Sequence, residues 1–272
     1  MLKRTLSTII LWSLVLVCVL YLGPTGGVWL VAIISLLTQR EFYALLERMG
    51  LHPFNRLGLL FGAAITLAPA YFFSWISTGE LLALAVIAFS VRILGEREPH
   101  NRVETLAWTL FGLVYVPFML QFLSRVLLIP GPHEKTGLVL GCWLIAVTKF
   151  CDTGALLTGL AIGQHKMAPN ISPKKTWEGA AGGVISSVIV GVALAWLCRA
   201  YLPANFTWWL AAATAVPLAG LAIVADLIES IIKRRADIKD TGRAIPGIGG
   251  IFDLSDSLIL AAPVGWAVFH QL

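Results

Sequence analysis

The chain has 272 residues, of which 58% are hydrophobic and only 13% charged, whereas an ordinary soluble domain carries about a quarter of its residues as charges. With a mean hydropathy of +0.83, that balance excludes a disordered chain, a collagen-like fibre and a soluble globular fold. The net charge of +5 arises from 20 Lys and Arg against 15 Asp and Glu; it has meaning only once mapped onto loops, and nucleic acid is not an expected partner.

A spanning helix takes about 20 residues, so nine of them would use about 180 and leave no room for a separate soluble domain. Apolar runs broken by Gly, Pro and charge clusters fall near residues 5 to 23, 27 to 46, 57 to 74, 80 to 95, 104 to 124, 137 to 162, 179 to 201, 206 to 232 and 250 to 270. The basic start at Lys3 and Arg4 looks like a signal peptide, but the run behind it is long for one and more membrane follows, which predicts a retained first helix. Arg40, Glu41 and Glu47 make the distal half of the second run amphipathic, and the fourth run is short enough to need tilt or local thinning of the bilayer. No internal repeat is visible and the loops are short. The expectation is an all-α polytopic membrane protein of about nine transmembrane helices, a single integral domain over residues 1 to 272.

Lys and Arg collect on cytoplasmic flanks. With the N-terminus in the cytoplasm, the inside segments hold Lys3 and Arg4; Arg40, Arg48 and Arg56; Arg92, Arg97 and Arg102; Lys166, Lys174 and Lys175; and Lys233, Arg234, Arg235, Lys239 and Arg243, which is 16 of the 20. Only Arg125, Lys135 and Arg199 fall outside, and Lys149 lies within the sixth run. This split predicts a cytoplasmic N-terminus and a C-terminus across the membrane. Cys18, Cys142, Cys151 and Cys198 sit in apolar stretches without CxxC spacing and read as inert small apolar residues.

Chemistry concentrates in the second half. The acids of the first half, Glu41, Glu47, Glu80, Glu96, Glu98 and Glu104, lie at run ends and read as solvated flanks. Asp152, Asp226, Glu229, Asp253 and Asp256 lie inside or at the edges of apolar runs, where an ionisable group is costly and signals function. Asp226 and Glu229 are three apart, with Ser230 and Lys233 further along nearly the same face; Asp253 and Asp256 are likewise three apart, with Ser257 a turn beyond Asp253. Converging carboxylates repel one another. A divalent metal relieves that repulsion, and an all-oxygen site suits Mg²⁺ better than zinc. The competing reading is that the acids pair with Lys233, Arg234 or Lys149 to lock helices together.

Two loops add the opposite charge. Residues 163 to 179 bring Ser172, Lys174, Lys175 and Thr176 to a helix start, and residues 233 to 250 carry Lys239, Asp240, Arg243 and a Gly-rich stretch that permits close backbone approach to a ligand. Together with the acids they describe a site for a magnesium-bound phosphate compound at the membrane face. There is no GxxxxGK[ST], HExxH or GxSxG motif, and the five histidines are scattered, with His165 in the first basic loop.

Ser172-Pro-Lys-Lys-Thr-Trp-Glu-Gly179, Ser230-Ile-Ile-Lys-Arg234, Lys239-Asp240, Gly242, Pro246-Gly-x-Gly-Gly250 and Asp253-x-x-Asp256, with Asp152-Thr-Gly-Ala155 and Ala225-Asp226-Leu227, resemble the phosphatidate cytidylyltransferase family, the CDP-diacylglycerol synthases. The likeness is most specific over about residues 150 to 265, the expected catalytic half. It implies a multi-helix membrane enzyme of phospholipid biosynthesis that transfers CMP from CTP to phosphatidate, releases pyrophosphate and uses Mg²⁺. It further implies Asp226 and Asp253 as metal-binding acids, with Asp256 as a third and Asp152 as support, and Lys233 and Lys239 as catalytic cations. Ser172, Lys174, Lys175, Thr176, Arg234 and Asp240 then take the substrate-binding positions. The implied setting is the cell inner (plasma) membrane with a cytoplasmic active site, in a homodimer.

Four positions depart from the family pattern: Ile248 stands where His is usual, Leu254 and Leu160 where Arg is usual, and Leu156 where Tyr is usual. The retained acids and lysines still predict an active enzyme, with a neighbouring lysine making up the charge missing at Leu254. From the residues alone an ion-coupled secondary transporter is the leading competitor, and a catalytically impaired membrane scaffold is the third reading.

Overall fold

The structure is a computed structural model that describes residues 2–72, 75–95, 101–238, 241–242 and 249–272, and the backbone alone for residues 2–20. Each of the nine apolar runs is helical in it. The first two form α1 (Leu2–Arg48), one long helix interrupted at Gly23, whose φ of 60° and ψ of −153° suit only glycine and which precedes Pro24, a residue without an N–H to continue the ladder. Next come α2 (Asn55–Tyr71), α3 (Thr78–Leu94) and α4 (Arg102–Leu113), then α5 (Met119–Leu127) after a π-helical turn at Val114–Phe118. Pro117 lies in that turn, where its missing donor displaces the regular α pattern. The second half holds α6 (Thr136–Ile162), α7 (Trp177–Leu197), α8 (Trp208–Arg235) and α9 (Ile251–Phe269).

Six helices among the described residues are long and apolar enough to cross a membrane: Tyr21–Arg48, Arg102–Leu127, Thr136–Ile162, Trp177–Leu197, Trp208–Arg235 and Ile251–Phe269. The protein is therefore a largely helical, polytopic membrane protein. At 17 residues each, α2 and α3 reach only about 25 Å. The all-α expectation meets one exception. Between α6 and α7 the basic loop folds into an antiparallel hairpin of β1 (Lys166–Ala168) and β2 (Ser172–Thr176), pairing Lys166 with Thr176 and Ala168 with Ser172.

The chain forms two compact units. The first comprises residues 1–125 and 235–255. Its core gathers Phe54, Ile65, Ala85, Phe89 and Leu113, and Phe42 of α1 meets Trp108, Phe111, Tyr115 and Phe252. The buried Thr38 hydroxyl lies 2.8 Å from that of Ser255, fastening α1 to the first turns of α9.

The second unit comprises residues 126–234 and 256–272. Small residues let α6 and α7 approach closely, with Gly154 set against Ser186 and Gly183 against Cys151. The Trp143 indole donates to the Gly191 carbonyl at 2.7 Å, and the Ser187 hydroxyl to that of Val147 at 2.8 Å. Near the start of α6, Trp143 packs edge-on against Phe206 and Phe269. That apolar plug leaves polar chemistry to the other end of the helix.

Candidate active site

The hairpin places the basic motif. Thr176, only 4% exposed, caps α7 by accepting the Gly179 amide at 3.1 Å. Glu178 in the first helical turn accepts the amides of Gln164 and His165, each at 3.2 Å, and bonds the His165 ring nitrogen Nδ1 at 2.5 Å. His165 is thus engaged in closing the hairpin base. Pinned at its C-terminal end, β2 carries Lys174 and Lys175 to a cavity of about 310 Å³ lined by α6, β1, β2, α7 and α8. Asp152, Thr176 and Asp226 supply its remaining polar walls, while Leu156, Leu160, Met167 and Ile223 supply apolar ones.

One wall of the cavity is an ion pair, Lys175 Nζ to Asp226 Oδ2 at 2.6 Å. Asp226 also belongs to a group with Glu229 and Asp256 in which one carboxylate oxygen of each lies within 4.8 Å of the others. Asp226 is half-buried while Glu229 and Asp256 are buried. Cations answer each acid: Lys233 lies 3.1 Å from Glu229, and Lys149 lies 3.4 Å from Asp152 and 3.7 Å from Asp256. The pairing that sequence offered as an alternative to metal binding is present, joined by a pair to Lys175. Yet Asp152, Asp226, Glu229 and Asp256 outnumber Lys149, Lys175 and Lys233, and three clustered all-oxygen ligands fit a hard divalent cation.

Asp253 belongs to the first unit. Its Oδ2 accepts the Gly250 amide at 2.7 Å, the Thr241 hydroxyl at 2.8 Å and the Thr241 amide at 3.2 Å. Gly249, at φ 127°, turns the chain into this arrangement in a conformation that a side chain would strain. Glu41 of α1 accepts the Phe252 amide at 2.8 Å and the Thr241 hydroxyl at 3.3 Å. Glu41 thereby satisfies one open donor in the first turn of α9, and Asp253 the amide of the residue just before it.

The match to known proteins bears on the whole chain. The family model described as the cytidylyltransferase family matches residues 2–272. The chain belongs to that family. The phosphatidate cytidylyltransferase of Mycobacterium bovis is 32% identical over 96% of this chain and 85% of its own length, and that of Staphylococcus haemolyticus is 32% identical over 96% of both. The Escherichia coli K12 protein YnbB is 32% identical over 68% of this chain and 61% of its own length. Family likeness thus extends over the first helices, where sequence motifs were uninformative.

Among the expected site residues of this cytidylyltransferase-family chain, the second unit brings together Asp226, Asp256, Lys175 and Lys233, with Glu229 as the third clustered acid. Lys174 is exposed beside the cavity, Ser172 is half-buried on β2, and Arg234 is exposed at the end of α8. Lys239 and Asp240 lie outside the described residues, as do Arg243 and Ile248. Glu229 was discernible as the helical neighbour of Asp226 three residues on. Glu41 was not, because an acid beside Arg40 looks like any solvated flank and its partners lie some 200 residues away.

Proposed function

We propose that this protein transfers CMP from CTP to phosphatidate, forming CDP-diacylglycerol and pyrophosphate. The observation that carries the reading is the acidic group on α8 and α9 beside a cavity edged by Lys174 and Lys175, in a chain of the cytidylyltransferase family. A phosphate oxygen of the lipid attacks the α-phosphorus of CTP; that O–P bond forms, the bond from the α-phosphorus to the bridging oxygen breaks, and pyrophosphate leaves. The attacking oxygen is already anionic, so the protein needs neither a nucleophile nor a base, only alignment and charge neutralisation.

Asp226, Glu229 and Asp256 would hold Mg²⁺, which neutralises phosphate charge when bound. Lys174 and Lys175 meet phosphate at the cavity, Lys233 and Arg234 extend the positive surface along α8, and Ser172 and Thr176 give the hairpin its shape. Lys239 and Asp240 complete the substrate-binding set. Asp253 accepts from Thr241 and Gly250, and residues 150 to 265 carry most of the catalytic groups.

The same reading has nine spans, with α2 and α3 crossing where the bilayer thins, a cytoplasmic N-terminus, and the site on the cytoplasmic side of the inner membrane. Exposed aromatic residues support it: Tyr21, Tyr71 and Trp75 in the first unit, and Trp196, Trp208 and Trp209 in the second, lie at the helix ends assigned to the outer interface. Assembly as a homodimer is included, with light scattering in detergent as its check. The central test is purified protein with labelled CTP, phosphatidate and Mg²⁺. Formation of CDP-diacylglycerol supports the reading; no product from any lipid phosphate ends it. Single cysteines at positions 174 and 239 should label from the cytoplasm, and labelling of either from the opposite face alone would overturn the orientation.

A further inference from the structure

Lys149 lies in the middle of α6, a helix that crosses the membrane, with its side chain only 21% exposed. A lysine so placed is costly unless its charge is used. Its ammonium donates to the Ser257 hydroxyl at 2.7 Å and to Asp152 Oδ2 at 3.4 Å, and lies 3.7 Å from Asp256 Oδ1. Ser257 Oγ is itself 3.4 Å from Asp152 Oδ2, so the ammonium, hydroxyl and carboxylate close a ring. The Ser257 amide donates to the same Asp256 Oδ1 at 2.6 Å. One oxygen of the buried Asp256 is therefore held from two directions.

We propose that Lys149 is a positioning residue for the acidic group: it fixes Asp256 by one carboxylate oxygen and leaves the other for a divalent cation shared with Asp226 and Glu229. The inference rests on the metal-holding role given to those acids above. Lys149 also offsets the repulsion between Asp152 and Asp256. It supplies a cation to Asp256, two residues beyond Leu254, where this chain lacks the Arg of the family pattern. Removing Lys149 has two opposed effects. The added negative charge favours a cation, whereas the released carboxylate loses its orientation; the hold on Oδ1 from two directions makes orientation the larger effect.

The test measures Mn²⁺ binding, by electron paramagnetic resonance, to the purified full-length protein, together with melting temperature and CMP transfer. Lys149→Met is expected to weaken Mn²⁺ binding at least tenfold and to raise the Mg²⁺ concentration needed for transfer by a similar factor. Lys149→Met with Asp152→Asn removes a charge of each sign and leaves no unpaired Asp152, so it should fold if the single variant does not. It is still expected to bind Mn²⁺ at least tenfold more weakly, since the tether on Asp256 is gone. Wild-type or tighter Mn²⁺ affinity in either folded variant overturns the proposal, as does a wild type that binds no Mn²⁺; a helix-locking lysine would change only the melting temperature. If the wild type binds Mn²⁺ and the variants lose it without any CMP transfer by the wild type, the reaction fails and the role of Lys149 stands. If transfer occurs and the variants bind as the wild type does, the reverse holds.

Discussion

The two units use carboxylates differently. In the first, Glu41 and Asp253 accept backbone amides at the α9 N-terminus, and Glu80 closes a capping box with Ser77, taking its amide at 2.5 Å while Ser77 Oγ accepts the Glu80 amide at 3.2 Å. In the second, Glu178 likewise accepts backbone amides at the hairpin base, but Asp226, Glu229 and Asp256 face the ammonium groups of Lys175, Lys233 and Lys149. The Phe252 amide cannot leave Glu41 without unwinding the first turn of α9, whereas a lysine side chain can turn to a phosphate and leave its acid to a metal. In the proposed reading, carboxylates of the first kind serve architecture and those of the second serve chemistry.

The sharpest way to break this contrast is to neutralise the acids one at a time. Asp226→Asn, Glu229→Gln and Asp256→Asn should each lower CMP transfer at least about a hundredfold, since even groups that only orient a metal ligand are worth about 10- to 100-fold. The variants should stay monodisperse in detergent. Turnover near wild type in Asp226→Asn would end the metal assignment, and aggregation of all three would show the acids to be partners of Lys149, Lys175 and Lys233 that merely hold helices together.

Asp253→Asn and Glu41→Ala probe the other side. Each should cost about 1 to 3 kcal/mol, the range for hydrogen bonds to a charged group, read as a melting temperature lowered by several degrees. The loss should exceed that of Asp226→Asn, and transfer should fall in proportion to the weakened hold on residues 241 to 253. If Asp253→Asn instead abolishes transfer with an unchanged melting temperature, Asp253 is a chemical acid after all and the division between the units fails.

The helices were legible because apolar runs between Gly, Pro and charges need only local composition, and even the break between the first two runs survives as the Gly23 kink. The hairpin was not, since Lys166–Ala168 and Ser172–Thr176 are short and basic and show no alternation of apolar and polar residues. Convergence of Asp226 with Asp256 was legible from cost, because buried acids need partners. That Glu229 joins them, and that Asp253 accepts from Gly250 and Thr241, was not. It depends on which donors each acid meets, and those of Asp253 include Thr241 and a turn at Gly249 whose geometry no spacing rule encodes.

The smallest effect is expected at the cavity wall, where Leu156 and Leu160 replace the Tyr and Arg of the family pattern. Both are open to solvent, at 53% and 77% exposure, and both line the cavity that Lys174 and Lys175 edge. An arginine at position 160 would add a cation there without filling buried space, so Leu160→Arg should leave the melting temperature unchanged. An exposed charge pair is worth about 1 kcal/mol at most, which limits the gain to a KM for CTP lowered by no more than about fivefold with kcat unaltered. The effect should shrink as salt rises, since exposed charges are screened. An unchanged KM at low salt would show that the nucleotide phosphates do not approach this wall. A rise in kcat without a fall in KM would place position 160 against the transferring phosphate, and the boundary between binding and chemistry in the second unit would then have to be drawn on α6 instead of between the cavity and the acids of α8 and α9.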